Sequence, residues 1–587
     1  MPPRRPTAGD VDKVLDMWPT LADLPESLRA NAIHTNFNLE DVLKRVILSN
    51  PWVPPTGDRC PINDLPNELL AHIFHLGAFE DDDEEDEDDM YQDTMEDAIF
   101  DEKDISADDG FEDEDSDDDD DDGTPTTTLP FQVLVSHVCS HWRTVAVETP
   151  VLWSTIKFVD EPSPFTRCKE WLHRSKDLPI EVIIDCTREA DTEASDSEMD
   201  VDAGKPEEPF YTHSDLHTIL EIVTPHAARW RVFEVEVNEY SFMRIVTDAL
   251  AALPAAPALQ ILQLHHYGEE ADDEYEFFLP AELRDPAPVL FAGNAPKLEQ
   301  LALWGVHLDW SAAANRFLAG LKDVELAYHA QDVRPTWAEL AALLAGSPAL
   351  DTLSLCLSGP RGAPSDWAAE RAVPLPSLRS LVLAFHPPED LCALVRLLPT
   401  PNLTSLSLDL EEGDYSAFAA LLAAPEPGGA SKKSLLSGLE HLKLSGLPCA
   451  PATVDVMYEQ LGALRSINLK LFDEFLDARF FERLTQPIDP AAKTHPPAFY
   501  LPHLDTLTTS GVPGAEMRRL VEARKKAGVP VKRLFMCEDD DVSMQDEVWF
   551  RAQLETFELF EPSDDEEDLE LVEGEMDMDE DNDMGLD

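Results

Sequence analysis

The stretch Leu350-Asp-Thr-Leu-Ser-Leu355 decides the fold, because its pattern, L-x-x-L-x-L with aliphatic substitutes, recurs from residue 230 onward. Further copies begin at residues 259, 298, 321, 378, 403, 439, 464 and 531, and weaker ones at 230 and 504. Seven of the ten intervals between successive copies are 23–29 residues long, and the other three are 36–40. A motif that returns at this period indicates stacked structural repeats, with insertions in the longer intervals.

Helical stretches lie between the motifs, for example at 336–346, 389–398 and 515–528. Each repeat is therefore predicted to contain a strand, a turn and a helix. One such unit cannot bury its own apolar face, so the units must stack on their neighbours. A single doubly wound α/β domain would also alternate strands and helices, but it would not repeat one six-residue motif so often. We predict an α/β solenoid over residues 228–560.

The net charge of −74 is concentrated in three tracts. Residues 80–122 contribute −27, residues 189–208 contribute −8 and residues 561–587 contribute −15. Like charges at this density repel one another, and these tracts have too little apolar surface to offset the entropy of ordering, so disordered segments are predicted. Such acidity argues against binding to nucleic acid or to an anionic membrane, both of which attract clustered Lys and Arg.

The chain shows no motif of a known active site. A phosphate-binding loop, G-x-G-x-x-G and G-x-S-x-G are all missing, which predicts a protein that is not an enzyme and has no cofactor. The pattern H-x-C-x-H at 137–141 suggests zinc, but on one continuous helix Cys139 would point away from the two histidines, so no metal site is predicted. Cys168 and Cys186 lie near His173 in sequence, yet nothing local predicts an activated thiol.

The cysteines are scattered without paired spacing, and neither an apolar leader nor a run of about eighteen apolar residues is present. These features predict a cytoplasmic or nuclear protein with reduced thiols and no membrane-spanning segment.

Helices are also predicted before the repeats: within residues 10–50, from Asn63 to Leu76, and from Phe131 to about Val147. Apolar residues recur there at spacings of three and four. The last two helices flank the acidic tract and are predicted to pack as one unit. The predicted domains are a helical extension (1–58), a small helical unit in two parts (59–79 and 129–158) around a disordered acidic insertion (80–128), a linking region (159–227) with a disordered acidic loop (187–209), the solenoid (228–560) and a disordered acidic tail (561–587).

Three blocks in the small helical unit resemble the F-box-like domain that is common in fungal proteins. They read Cys60-Pro-Ile-Asn-Asp-Leu-Pro-Asn-Glu-Leu-Leu-Ala-His-Ile-Phe74, Leu134-Val-Ser-His-Val-Cys-Ser-His-Trp-Arg-Thr-Val-Ala146 and Thr149-Pro-Val-Leu-Trp-Ser-Thr-Ile156. They occur in the family's order, and the motifs that follow resemble irregular leucine-rich repeats. Two features depart from these patterns. The acidic insertion separates the first two blocks, and the Asn that usually follows the motif is replaced by Val306 and Leu447 in two repeats.

The resemblance implies a substrate-recognition subunit of a cullin-RING (SCF-type) ubiquitin ligase. In that family the F-box binds a Skp-family adaptor, and through it a cullin, while the repeats bind the protein substrate. Carried over by position, the resemblance assigns eight residues to adaptor binding or to its support. They are Leu65, Pro66, Leu69, Leu70, Ile73, Val138, Trp142 and Trp153. The alternative for each of them is a core position in a helical domain.

The strands also predict a binding surface for the substrate. Because side chains alternate along a strand, the residues between the inward leucines face the concave side of the sheet. Basic residues there, in an otherwise acidic molecule, favour an acidic or phosphorylated segment as the ligand; the alternative is ordinary solvated surface. The candidate substrate-binding residues are Trp304, His441, Lys443, Asn468, Lys470 and Arg533.

The alternative function is a ligase-independent leucine-rich-repeat scaffold whose acidic tracts bind basic partners such as histones. Co-purification separates the two functions. An adaptor and a cullin indicate the ligase, whereas basic chromatin proteins alone indicate the scaffold.

Overall fold

The computed structural model describes residues 62, 65–80, 129–188, 210–267, 276–410, 413–425, 433–470, 478–488 and 498–560. The helices predicted within residues 10–50, residues 81–128 of the acidic insertion, residues 189–209 of the acidic loop and the acidic tail all lie outside the described residues. The chain divides into two compact units, and the boundary between them falls at 149/150.

The first unit contains three described helices: α1 (Asn67–Glu80), α2 (Phe131–Val138) and α3 (Ser140–Glu148). Helices are therefore present on both sides of the acidic insertion, as the sequence predicts. Burial of apolar side chains from all three helices forms a small core. Its members are Leu70, Phe74, Val135, Val145 and Ala146.

The continuous helix predicted from Phe131 to about Val147 is wrong. The chain is extended at Cys139, with φ −158° and ψ 170°, and this residue separates α2 from α3. Cys139 caps α3, because its sulfur accepts a hydrogen bond from the amide of Trp142 at 3.4 Å. The helical argument against zinc at 137–141 therefore does not hold. Still, no group of three or more His, Cys, Asp and Glu side chains among the described residues could hold a metal ion.

The second unit contains a parallel sheet of fourteen strands in its described part, and each strand is hydrogen-bonded to the next one in sequence order. The strands are β1 (Thr155–Phe158), β2 (Ile180–Cys186), β3 (Trp230–Val237), β4 (Ile261–His266), β5 (Gln300–Trp304), β6 (Asp323–Ala327), β7 (Thr352–Cys356), β8 (Ser380–Ala384), β9 (Ser405–Asp409), β10 (His441–Ser445), β11 (Ser466–Lys470), β12 (Thr506–Ser510), β13 (Arg533–Cys537) and β14 (Thr556–Phe560).

Helices and short 3₁₀ turns connect these strands. The helices are α4 (Thr166–Arg174), α5 (His213–Val223), α6 (Tyr240–Ala252), α7 (Trp337–Gly346), α8 (Pro364–Trp367), α9 (Pro388–Leu397), α10 (Ser416–Ala423), α11 (Pro451–Gln460), α12 (Ala478–Thr485), α13 (Gly514–Ala527) and α14 (Met544–Gln553). The predicted α/β class is confirmed, and the sequential parallel sheet is consistent with a solenoid-like arrangement.

The leucines of the motif build the core of this unit. Leu353, Leu381 and Leu406 are register partners on neighbouring strands, and none of them is more than 4% exposed. Each buried leucine contributes about 2 kcal/mol relative to an exposed one. The alternate residues, such as Ser380 and Ser405, lie on the opposite side of the sheet. We call that side the open face.

The sheet is longer than the repeats in the sequence predict. Strand β2 lies in the segment 159–227, which the sequence analysis assigns to a linking region, and β1 directly precedes that segment. Their sequences, Thr-Ile-Lys-Phe and Ile-Glu-Val-Ile-Ile-Asp-Cys, alternate buried and less buried side chains but lack the leucine motif. At the other end, β14 adds a strand after the last motif.

The same left-handed backbone conformation recurs directly after several strands, whatever the residue type. Tyr328, Leu357 and Phe385 come directly after β6, β7 and β8 and have φ of 52°, 46° and 55°. Gly305 and Gly446 occupy the same place after β5 and β10, with φ of 63° and 75°. The amides of Gly305, Tyr328, Leu357 and Phe385 each donate to the carbonyl of the last residue of the next strand; that of Tyr328, for example, donates to Cys356 at 3.0 Å.

In two of the middle repeats, a buried histidine lies three residues after the last leucine of the motif. The ring of His329 lies 3.0 Å from the Val306 carbonyl through Nε2 and 3.0 Å from the Ser358 hydroxyl through Nδ1. Nε2 of His386 lies 3.0 Å from the Leu355 carbonyl. Burial lowers the pKa of His329 to about 3 and that of His386 to about 4. Both rings are therefore neutral at neutral pH, and they link successive turns through hydrogen bonds.

Candidate binding surfaces

The first candidate surface is a set of large apolar side chains on α1 and α2 that remain in contact with solvent. Leu69, Ile73 and Leu76 are 50%, 42% and 53% exposed, and their spacing places them on one side of α1. On α2, Leu134 and Val138 are 46% and 59% exposed. We call these five side chains the apolar face. Large apolar side chains left exposed at helical spacing on two packed helices are typical of interaction surfaces.

The opposite sides of these helices hold the unit together. Phe74 is 1% exposed, and its ring lies 5.0 Å from that of Trp142. Gly77 allows α2 to approach, because a Cβ atom at this position would lie 2.4 Å from the ring of Phe131. The apolar face is therefore supported by close packing beneath it.

The structure separates the eight predicted adaptor-binding residues into two groups. Pro66, Leu69, Ile73 and Val138 are exposed, whereas Leu65 is half-buried, Leu70 is buried and the half-buried Trp142 packs on Phe74. Sequence reasoning did not assign Leu76 and Leu134 to the adaptor. Leu76 is seven residues after Leu69, and Leu134 is four before Val138, so helical spacing would have included both.

Trp153 lies in the second unit and is 1% exposed. Its ring lies 5.6 Å from that of Trp171, and the guanidinium of Arg174 is 4.5 Å from its centre. This residue supports the beginning of the sheet.

The second candidate surface is the basic end of the open face, on β10 and β11. Lys443 and Asn468 are register partners, and Lys470 pairs with Ser445 two residues further along the same strands. Lys443 is exposed, while His441, Asn468 and Lys470 are half-buried. The structure thus brings His441, Lys443, Asn468 and Lys470 together, and we call these four residues the basic end.

Two of the predicted substrate-binding residues lie apart from the basic end. Arg533 is on β13, and its guanidinium lies 3.9 Å from the Asp505 carboxylate. Trp304 is on β5, five strands from β10, which corresponds to about 24 Å at the usual spacing between strands. Trp304 therefore belongs to a different part of the open face.

The third candidate surface surrounds Trp304. Glu236, His265 and Trp304 are register partners on β3, β4 and β5. A carboxylate oxygen of Glu236 lies 3.4 Å from Nδ1 of His265 and 3.4 Å from the Tyr267 hydroxyl. The ring of Trp304 lies 4.7 Å from that of His265, 5.8 Å from that of Tyr267 and 5.9 Å from that of Tyr328.

An acidic group completes this third surface from β6. Glu325 is buried opposite Ala302 of β5. Burial raises the pKa of Glu325 to about 7, although His265 and the neighbouring indole of Trp304 oppose that shift. Burial also raises the pKa of Asp323 to about 6. Together, Glu236, His265, Tyr267, Trp304, Glu325 and Tyr328 form what we call the aromatic–acidic cluster.

The two cysteines near His173 are not activated thiols. Cys168 donates a hydrogen bond to the carbonyl of Lys157 at 3.2 Å, and burial raises the pKa of its thiol. Burial also raises the pKa of Cys186 to about 12. Both groups therefore remain protonated at neutral pH.

Among the described residues, no helix is both long enough and apolar enough to cross a membrane. Comparison with protein-family models and with curated proteins finds no match to this chain.

Proposed function

We propose that this chain is a substrate-recognition subunit of a cullin-RING ubiquitin ligase. Its first unit would bind a Skp-family adaptor, and its repeats would bind the protein to be ubiquitinated. The observation that carries the proposal is the apolar face. A unit whose described part contains three helices and an F-box-like sequence also exposes five large aliphatic side chains on two of those helices.

An adaptor that covers the apolar face would remove these side chains from water. Full burial of one aliphatic side chain contributes about 1.5–3 kcal/mol. Because these five side chains are only 42–59% exposed, covering them would gain about half of that figure for each, which offsets part of the entropy cost of association and of side-chain ordering. Leu69, Ile73 and Val138 are central to the proposed contact, whereas Leu70 and Trp142 would support it from inside the unit.

The direct test measures binding of the purified full chain to a purified Skp-family adaptor. The Leu69→Asp/Val138→Asp variant should lose at least about a hundredfold in affinity, because two charges would lie unpaired in an apolar contact. Both side chains are exposed, so the helical unit should still fold. Trp142→Asp would be a poorer choice, since Trp142 packs on Phe74.

The matched control is Met544→Asp/Val548→Asp on α14. These side chains are also apolar, helical and exposed, at 79% and 66%. The control should bind the adaptor as the wild type does. Equal adaptor binding by the apolar-face variant and the wild type would reject the proposed contact.

The basic end is the proposed place for an acidic or phosphorylated segment of the substrate. The Lys443→Glu/Lys470→Glu variant should weaken capture of such a segment at least about tenfold and leave adaptor binding unchanged. Lys525→Glu/Lys526→Glu on α13 makes the same change in net charge on exposed helical positions. If the two variants capture a phosphopeptide library equally well, the basic end is ordinary surface.

A further inference from the structure

The aromatic–acidic cluster lies in the second unit, where Trp304 on β5 is five strands from β10 and the basic end. The cluster is carried by β3 to β6. Together with the neighbouring β2, these strands contain six carboxylates and a single arginine, Arg231, which forms an ion pair with Glu181. The carboxylates are Glu181, Asp185, Glu234, Glu236, Asp323 and Glu325. Among the described residues, neither Glu236 nor Glu325 forms an ion pair with Lys or Arg, although Glu236 contacts His265.

A buried ring nitrogen without a hydrogen-bond partner lies inside this cluster. His265 is 8% exposed, and Nε2 of its ring is buried without a hydrogen-bond partner among the described residues. In the tautomer that donates from Nδ1 to Glu236, Nε2 offers only a lone pair. A buried polar atom left without a partner is unfavourable, so this position favours a ligand that brings an N–H donor.

The aromatic rings restrict the ligand further. Trp304 and Tyr267 are half-buried and Tyr328 is 36% exposed, so ring surface remains open to solvent on this side of the sheet. The faces of Trp and Tyr rings attract cations, and a planar guanidinium both stacks on them and presents several N–H groups. Ala302 is the register partner of Glu325 and lies two residues before Trp304 on the same strand, so Trp304 and Glu325 are diagonal neighbours across β5 and β6.

We infer that the aromatic–acidic cluster binds an arginine side chain in a basic segment of a partner protein. The guanidinium would stack on Trp304, donate to the carboxylate of Glu236 or Glu325, and supply the missing donor to His265. This inference goes beyond adaptor binding, and it rests on the proposed function only in treating that partner as a substrate. The open face would then have two binding regions of opposite charge preference. The aromatic–acidic cluster would bind basic segments, and the basic end would bind acidic ones.

The test uses photo-crosslinking of the full chain, because the acidic tracts of this protein will also attract basic peptides. The probe is a blocked Arg-Gly-Gly-Arg peptide with a diazirine on one glycine, used at physiological salt to screen long-range attraction. Mass spectrometry locates the cross-links. Saturable cross-links are expected on β4, β5 or the turn at Tyr328, and a peptide with citrulline in place of arginine should give none there.

Two variants identify the side chains responsible. Trp304→Leu and Glu236→Gln/Glu325→Gln should each weaken the saturable cross-links at least about tenfold, while cross-links to the acidic tracts persist. The matched control, Glu555→Gln/Glu558→Gln, removes two exposed carboxylates near the other end of the sheet and should behave as the wild type does.

Three results would overturn the inference: cross-links confined to the acidic tracts, equal labelling of the two variants and the wild type, or a lysine peptide that labels the cluster as well as the arginine peptide does. The outcome is separable from adaptor binding. Leu69→Asp/Val138→Asp should keep the cross-links at the cluster even though it loses the adaptor.

Discussion

At the residue scale, two buried histidines link successive turns by hydrogen bonds that the sequence did not predict. The leucine-rich-repeat pattern that the motif resembles has an Asn after it, and Val306 and Leu447 stand at that position in two repeats. The sequence does not show that His329 and His386 form hydrogen bonds with backbone carbonyls. Each of these histidines stands three residues after the last leucine of its motif, which the sequence does show. Periodicity alone, however, cannot distinguish a buried imidazole from an exposed one.

These histidines predict that acid destabilises the middle repeats. Burial lowers their pKa, and the neighbouring Arg334 acts in the same direction on both rings. As pH falls below about 6.5, the unfolded chain takes up protons that the folded chain does not. The contribution of the two neutral histidines to the free energy of unfolding is therefore complete above a pH of about 6.5, and it is lost as the pH falls toward about 4. The loss is up to about 1.4 kcal/mol per pH unit for each histidine.

The measurement is the free energy of unfolding of the full chain in denaturant at pH 7 and at pH 5. The His329→Asn/His386→Asn variant should lose less stability between these values than the wild type does, because Asn does not titrate. His503→Asn, at an exposed position, should follow the wild type. The explanation fails if the double variant and the wild type lose stability in parallel.

At the scale of elements, the leucine motif predicted the repeats well because it encodes both strand and core. Each of the nine stronger motifs contains a strand of the sheet. The motif could not predict β1, β2 or β14, where Val, Ile and Phe perform the same packing without the leucine spacing. Helical periodicity also did not reveal the break at Cys139, because apolar residues continue at helical spacing across it while the backbone is extended.

The end of α13 gives a test at this scale. Gly528 follows the helix with φ +80°, and its added Cβ would meet no atom within 4 Å. Gly528→Ala should therefore cost about 1 kcal/mol in the free energy of unfolding through backbone strain alone. Gly462, which is equally free of neighbours but lacks a positive φ, is the control, and Gly462→Ala should be neutral or slightly stabilising. Equal effects of the two substitutions would exclude this account of the helix end.

At the scale of the whole molecule, the chain combines two compact units that carry different surfaces. The first unit exposes the apolar face, and the second exposes a basic end and an aromatic–acidic cluster on one side of the sheet. The sequence predicted which residues alternate onto that side. It grouped Trp304 with the basic residues, however, because spacing along one strand does not report the distance across five strands.

The most direct test of the proposed function is affinity purification of the full chain from its native cell, followed by mass spectrometry. The wild type and the Met544→Asp/Val548→Asp control should both recover a Skp-family adaptor and a cullin, and Leu69→Asp/Val138→Asp should recover neither. Recovery of basic chromatin proteins without adaptor or cullin by the wild type would contradict the ligase function and favour a scaffold.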